Sequence, residues 1–392
     1  MPQVNMRLGR FATSEGLYFT SYGLFLTTSL LSASFYYQYF IGTAYTWLQV
    51  ACLVLLLLRE YRLGLGKQNI PALVVLGLLA VFSLQSTVGN LTRLVPMMFF
   101  YIYGARNIHF DRISRFSLHL SATVVALVVF SGYLGIIDNV VVAKSGRVRE
   151  YLGFRYALYL PGILLNMTAL WAYLHREDIT IPKAMFWKVL NGFVYLRTDS
   201  RISFALALLV LIGAWILRYV PLVKKPKALW GLLSGSYLIS AAFSFVFTGI
   251  YDGAIPWLRR LNSMLESRLS LGKRSLEDHG FGLLGQKITW VGNGLDAFGN
   301  SVEGPYTYVD CLYVKLLQRY GGLFVAAFLG LVTWAMAKLQ KQGHHLLLLI
   351  CATVAAHCIL DDLSFALHYN TFWIALGLAL MAPETLKTNS RG

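Results

Sequence analysis

ACLVLLLL, residues 51–58, and HLLLLICATVAA, residues 345–356, decide the fold class, because neither alternates. A membrane-barrel strand repeats its polarity every two residues, whereas these runs are apolar on every face and suit helices surrounded by hydrocarbon or by one another. Similar runs recur at about 17–39, 41–58, 70–86, 88–104, 114–137, 154–174, 184–198, 202–220, 228–250, 312–337, 345–362 and 370–382. The fourth, seventh and last carry the weakest pattern. A hydrocarbon core of about 30 Å needs roughly 20 apolar residues to cross it. Composition agrees: 57% of the 392 residues are apolar, 13% are charged and the mean hydropathy is +0.58, which leaves too little polar surface for a water-soluble fold of this length. The expectation is an all-α, polytopic integral membrane protein of about twelve transmembrane helices. The first run is long, lacks a small-residue cleavage pattern and is followed at once by another, so it reads as a span and not as a cleaved signal.

Alternating the twelve helices from a cytoplasmic start puts 19 of the 34 basic residues in inside segments, among them Arg7, Arg10, Lys67 and Arg391, and leaves both termini cytoplasmic. Twelve of the others crowd into three outside segments: Lys144, Arg147, Arg149 and Arg155; Arg197 and Arg201; and Arg259, Arg260, Arg268, Lys273, Arg274 and Lys287. Outside loops normally lack such charge. Contact with lipid headgroups would account for some of it, but arginine outnumbers lysine nine to three, as a phosphate or diphosphate held by planar donor forks requires.

Three parts follow: residues 1–250 with nine helices, a long extracytoplasmic loop at 251–308, and residues 309–392 with three helices and a cytoplasmic tail. Inside the loop, Pro256 can open a helix, and 100° steps over 257–269 gather Trp257, Leu258, Leu261, Met264, Leu265 and Leu269 on one arc. Arg268 falls within that arc. An inward guanidinium is costly unless an anion or a carboxylate meets it, so Arg268 is expected to be half of a buried ion pair or a ligand-binding group. KRSLEDHG, 273–280, reads as a short helix stopped by Gly280, with Glu277, Asp278 and His279 as candidate proton acceptors. The glycine-rich GLLGQKITWVGNGLDAFG, 282–299, suits an irregular segment passing near a ligand.

Elsewhere, Asp199 lies between Arg197 and Arg201, so one carboxylate for two arginines leaves spare positive charge. His357 and Asp361 stand one turn apart and can form a hydrogen-bonded pair; two such ligands do not make a metal site, and no metal or cofactor is expected. Arg93, in the fourth run, could add to the same outward cavity. Cys52, Cys311, Cys351 and Cys358 lack any metal or disulfide spacing and read as small core residues.

LNSMLESRLSLGKRSLEDHGFGLLGQKI, 261–288, followed by YTYVDCLYVKLLQRYG, 306–321, resembles the polysaccharide repeat-unit polymerases, the Wzy-type O-antigen, capsule and exopolysaccharide polymerases, particularly their Gram-positive members. The pattern is carried by Asn262, Ser263, Arg268, Leu269, Gly272, Tyr306, Tyr308, Val309, Asp310, Tyr313, Tyr320 and Gly321. GRVREYLGF (146–154), YLRTDSRIS (195–203) and AHCILDDLSFALHYNTFWIALG (356–377) look like further family segments. The chain departs from the pattern at Tyr156, Ala157 and Leu158, where proline and asparagine are usual, and at Asp361, where glutamate is common.

The resemblance implies a GT-C-like membrane glycosyltransferase, working without metal on the outer face of a bacterial cytoplasmic membrane. It would join undecaprenyl-pyrophosphate-linked oligosaccharides. The implied partners are that lipid-linked glycan, membrane lipids, a chain-length regulator and a flippase, with no nucleic acid. Arg268, Arg201, Arg149, Arg197, Arg147, Lys273 and Arg274 would then bind diphosphate or glycan together with His357 and Asp361, while His279, Asp310, Glu277 and Asp278 are the candidate catalytic groups. A ligase moving the finished glycan to another acceptor would need similar loops. A lipid-linked-oligosaccharide transporter would instead show internal repeats and a central line of charge, and the chain has neither.

Overall fold

The computed structural model describes residues 13–64, 68–85, 94–144, 146–301 and 303–387; Arg7, Arg10, Lys67, Arg93 and Arg391 lie outside the described residues. Its α-helices are α1 Ser14–Ser32, α2 Thr43–Leu63, α3 Ile70–Gln85, α4 Leu94–Gly104, α5 Phe110–Tyr133, α6 Tyr159–Leu174, α7 Ile181–Thr198, α8 Arg201–Tyr219, α9 Lys227–Ser234, α10 Ser236–Gly249, α11 Pro256–Met264, α12 Arg268–His279, α13 Leu312–Lys341, α14 His345–His357 and α15 Phe372–Met381. An antiparallel hairpin of β1 Val141–Lys144 and β2 Arg147–Glu150, which the apolar pattern does not foreshadow, joins α5 to α6.

Each of the twelve apolar runs coincides with a helix or, at 228–250, with a bent pair. Twelve full spans do not follow from their lengths. Among the described residues, α2, α5, α8 and α13 are long and apolar enough to cross a membrane, and α9 with α10, bent by 57°, makes a fifth candidate. Helices α6, α14 and α15 are apolar but shorter, and local chemistry explains why. Helix α14 ends at His357, whose carbonyl accepts from the Leu360 and Asp361 N–H groups, while the Asp361 carboxylate takes the Leu363 N–H at 2.7 Å. Outer faces are apolar, with Leu57, Val81, Phe193 and Leu196 exposed, and the interior holds Ser21, Ser117 and Ser121 at 0% exposure. This inside-out distribution suits an apolar surrounding, with short polar side chains joining helices: the Tyr22 and Ser117 hydroxyls meet at 3.0 Å, and Asn191 donates to Thr168 at 2.9 Å. The four cysteines are buried and free.

The packing separates two ends. Helix α1 packs on α2 and α5, α6 on α5 and α8, α8 on α14, and α13 on α10 and α15. The connections that the charge alternation assigned outside meet one another at one end, where Arg147 pairs with Asp199 and Arg155 reaches Ser32 and Leu295. Those assigned inside meet at the other, where Arg176, Lys224 and His344 line one cavity.

One of the crossings that tie segment 250–311 to this frame lies on α13. Helix α13 is broken at Gly321, whose φ of 88° is closed to most side chains. There the backbone of 282–286 runs against it: Gly322 and Leu323 donate to the Gly282 and Leu283 carbonyls at 2.9 and 3.2 Å, and Gln286 donates to Gln318. A Cβ on Gly321 would lie 2.3 Å from the Gly285 nitrogen, and one on Gly285 2.4 Å from the Arg319 carbonyl. Only paired glycines permit the contact.

Candidate functional site

The amphipathic stretch 257–269 is not one helix. It breaks after α11, and Glu266 and Ser267 take left-handed conformations, φ 48° and 68°, before α12 begins at Arg268. Each such residue costs about 1–3 kcal/mol, so the surrounding contacts must hold the bend in place. Asn262 supplies them: its side-chain oxygen accepts from the Leu269 and Ser270 N–H groups at 3.0 and 3.1 Å, and its amide donates to the Tyr251 and Ser270 hydroxyls. Asn262 thus caps α12 from the preceding helix, a role Ser267 leaves unfilled. Leu269, Gly272 and Ser275 are buried on one face of α12. Gly272 lets the helix approach α10, since a Cβ there would lie 3.0 Å from Thr248.

The bend aims Arg268 inward, and the anion that meets it is Asp310, at 2.9 Å. Both side chains are close to buried, 12% and 11% exposed. The guanidinium also donates to the Leu360 carbonyl at 2.9 Å and the Glu266 carbonyl at 3.3 Å. Asp310 receives a second donor on the same oxygen, the Tyr306 hydroxyl at 2.6 Å. Its other oxygen has no hydrogen bond among the described residues. Arg268 thus forms the buried ion pair that is one of the two arrangements expected of it.

Asp310 opens onto a cavity of about 200 Å³ whose lining includes Tyr156, Tyr159, Tyr306, Tyr308, Asp361 and Asp362, closed on one side by 292–295 of the glycine-rich stretch. Burial pushes the Asp310 carboxyl up to about 6, against the pull of Arg268 and Tyr306. Burial, then the neighbouring Asp362, push Asp361 up to about 7. The Tyr306 phenol is held well above its usual range by burial and by Asp310. Tyrosine faces beside carboxylates provide stacking surface and hydrogen-bond acceptors for a sugar, and a carboxylate that titrates near neutrality is matched to taking a proton from a hydroxyl. His357 is buried with its Nε2 4.0 Å from Asp361, beyond hydrogen-bond distance, and its Nδ1 bonds the Ser364 hydroxyl at 2.9 Å, so the two are neighbours without the hydrogen bond expected between them, and Asp361 lies beyond the helix.

The remaining sequence candidates divide. Arg149 on β2 pairs with no carboxylate among the described residues, its buried Nε lacks an acceptor, and its charge acts on Tyr156 at the cavity. Arg147 bridges Asp199 at 3.2 Å and Glu266 at 3.8 Å, Arg201 pairs with Asp199 at 3.1 Å, and Arg197 pairs with Glu150. Three arginines therefore face three carboxylates, and the spare charge expected at 197–201 is neutralised by Glu150 and Glu266, which the local sequence count omits. Glu277, Asp278 and His279 end α12 on its exposed side, as the Gly280 stop requires. Glu277 and Asp278 face Lys273 and Arg274 at 3.7 Å, and Lys273 also donates to the Gly249 carbonyl. None of these five lines the acidic cavity.

Sequence reasoning passed over Asp362, Lys315, Arg319 and the site role of Arg155. Lys315 lies 2.5 Å from Asp362 and donates to the Tyr308 hydroxyl, which itself donates to Asp362 at 3.0 Å. The available signal was Lys315 and Arg319 four residues apart inside an apolar run, since ionisable groups at membrane depth mark function by default. In comparisons with known proteins, no family model matches the chain, and neither a curated protein nor a solved structure matches it.

Proposed function

We propose that the chain is a membrane glycosyltransferase that polymerises undecaprenyl-pyrophosphate-linked oligosaccharides on the outer face of a bacterial cytoplasmic membrane. The observation that carries this reading is the Arg268–Asp310 pair at the mouth of a cavity of tyrosines and three aspartates. The motif resemblance supports the substrate class, and the clustering of arginine-bearing connections at one end of the bundle supports a phosphate-bearing ligand there.

In this mechanism the acceptor sugar's hydroxyl hydrogen-bonds the open oxygen of Asp310. As its oxygen attacks the donor's anomeric carbon, the proton passes to Asp310. The bond from that carbon to the diphosphate oxygen breaks, and its electron pair leaves with the lipid diphosphate, whose charge the surrounding cations stabilise. Arg268 keeps Asp310 ionised and oriented, and Tyr306 fixes one of its oxygens. Arg149 adds positive charge beside Tyr156.

The test supplies purified protein with its native lipid-linked repeat unit, without nucleotide sugar, and resolves product length on a gel. Wild type yields a ladder, and Asp310→Asn lowers its rate by about 10²-fold or more, the usual contribution of a positioned base. No ladder from wild type refutes the polymerase, and a single transfer onto a different acceptor identifies a ligase.

A further inference from the structure

Two cavities of opposite charge meet at one wall. The acidic cavity shares Tyr159, Tyr308, Asp362 and Leu363 with a second one of about 320 Å³, bordered by α1, α2, α4, α6 and α13. Its charged lining is Arg155, Lys315 and Arg319 against Asp362 alone. His368 adds no charge at neutral pH, because burial pushes its imidazole down to about 3.

Arg155 is the telling group. Its Nε and Nη2 donate to the Ser32 carbonyl at 3.1 and 2.5 Å, its Nη1 donates to the Leu295 carbonyl at 3.1 Å, and it lies 5.0 Å from the centre of the Tyr37 ring. Among the described residues no carboxylate lies within ion-pair distance of it. A part-buried guanidinium whose hydrogen-bond partners are all neutral carbonyls, with Asp296 acting on it from beyond ion-pair distance, keeps positive charge for the cavity, and an anion is the partner that would compensate it. Lys315 lines the basic cavity and bonds two residues of the shared wall, Tyr308 and Asp362, and Arg319 follows one turn along α13 over the Trp290 ring at 6.0 Å. Arg268, by contrast, is already compensated by Asp310.

The same two helices lead from this cavity into an apolar one. Val95 and Tyr320 line the basic cavity, and farther along α4 and α13 Phe99, Ile102, Phe328 and Val332 line a crevice of about 220 Å³. A head that binds cations and a tail that binds hydrocarbon would therefore lie along one track.

Resting on the glycosyltransferase reading, we infer that the basic cavity seats the diphosphate of a prenyl-linked donor through Arg155, Lys315 and Arg319, and that Lys315 exchanges Asp362 for a phosphate oxygen when the donor binds. The acidic cavity then takes the acceptor sugar, and the reacting bond lies at the Tyr308–Asp362 wall. Exchange leaves Asp362 held by the Tyr308 hydroxyl alone, on the wall beside Asp310, the base to which the attacking acceptor hydroxyl passes its proton. The charged groups bearing on that base are Arg268, Asp361 and Asp362, with Tyr306 and Tyr156 beside them.

The experiment is a calorimetric titration of the detergent-purified full chain with inorganic pyrophosphate and, separately, with farnesyl diphosphate. Both bind wild type, farnesyl diphosphate the more tightly because the crevice takes its tail. Arg155→Gln and Arg319→Gln each weaken both by about tenfold or more, the worth of a charge-assisted contact, while Arg268→Gln changes either by less than about threefold. Arg155 also ties Ser32 to Leu295, so a variant that fails to fold there leaves Arg319→Gln to decide. The inference is overturned by unchanged affinity in Arg319→Gln, by loss in Arg268→Gln alone, or by no binding to wild type. Equal affinity for the two probes overturns the prenyl track. A glycan ladder with Arg155-independent diphosphate binding would remove this seat and leave the polymerase standing; Arg155-dependent binding without a ladder would do the reverse.

Discussion

Replacing Arg268 with glutamine separates two roles that an inward arginine can play. If it tunes Asp310, its loss acts through protonation. The two groups sit 2.9 Å apart and close to buried, and an opposite charge at such range lowers a carboxylate by about one to three units. Asp310 stands at about 6 with the arginine present. Without it, the limb on which activity rises with pH, as the base becomes ionised, moves from about 6 to about 7–9. At pH 7 the ionised fraction then falls from about nine tenths to between about one half and one hundredth, so the rate drops between about twofold and about a hundredfold. Raising the pH restores it. Initial rates of ladder formation from pH 5.5 to about 9.5, wild type against Arg268→Gln, read the limb directly. A loss of equal size at every pH, with the limb unmoved, would refute the reasoning and return Arg268 to a direct grip on the leaving diphosphate.

Three further tests probe the frame and the site. Gly321→Ala forces a side chain into φ 88° and against Gly285, costing about 2–5 kcal/mol and lowering the melting temperature in detergent, whereas Gly330→Ala, which meets nothing within 4 Å, leaves it within about a degree. Asn262→Ala removes the cap of α12 and costs about 1–2 kcal/mol, with a loss of ladder formation larger than the change in melting temperature because Arg268 loses its aim. Alanine at Glu277, Asp278 and His279 together leaves the rate within about twofold, since these groups are exposed; a hundredfold loss would restore them as candidate bases.

The helices were legible because apolar runs are a local property, and so was the inward arginine, which needed only its place in an arc. The bend at Glu266 and Ser267 was not. No glycine or proline marks it, and it is held by Asn262, whose side chain satisfies backbone donors seven and eight residues on. Local charge counting failed at 197–201 for a related reason: Glu150 and Glu266 come from distant segments. Arg155 looked like one more loop cation until Ser32 and Leu295, 123 and 140 residues away, supplied its neutral surroundings. Asp310 was found from its motif, but its raised pKa comes from burial that only packing creates.

The glycine crossing bears on how this chain could be recombined with another. Because 282–286 and the break at Gly321 exchange backbone hydrogen bonds in both directions, the segment from α11 to the midpoint of α13 is a single transplantable unit, and a chimera joined at the apparent border near residue 310 would separate two glycines that fit only each other. A chimera that keeps this crossing intact would therefore need a junction beyond residue 323, inside what hydropathy marks as uninterrupted helix.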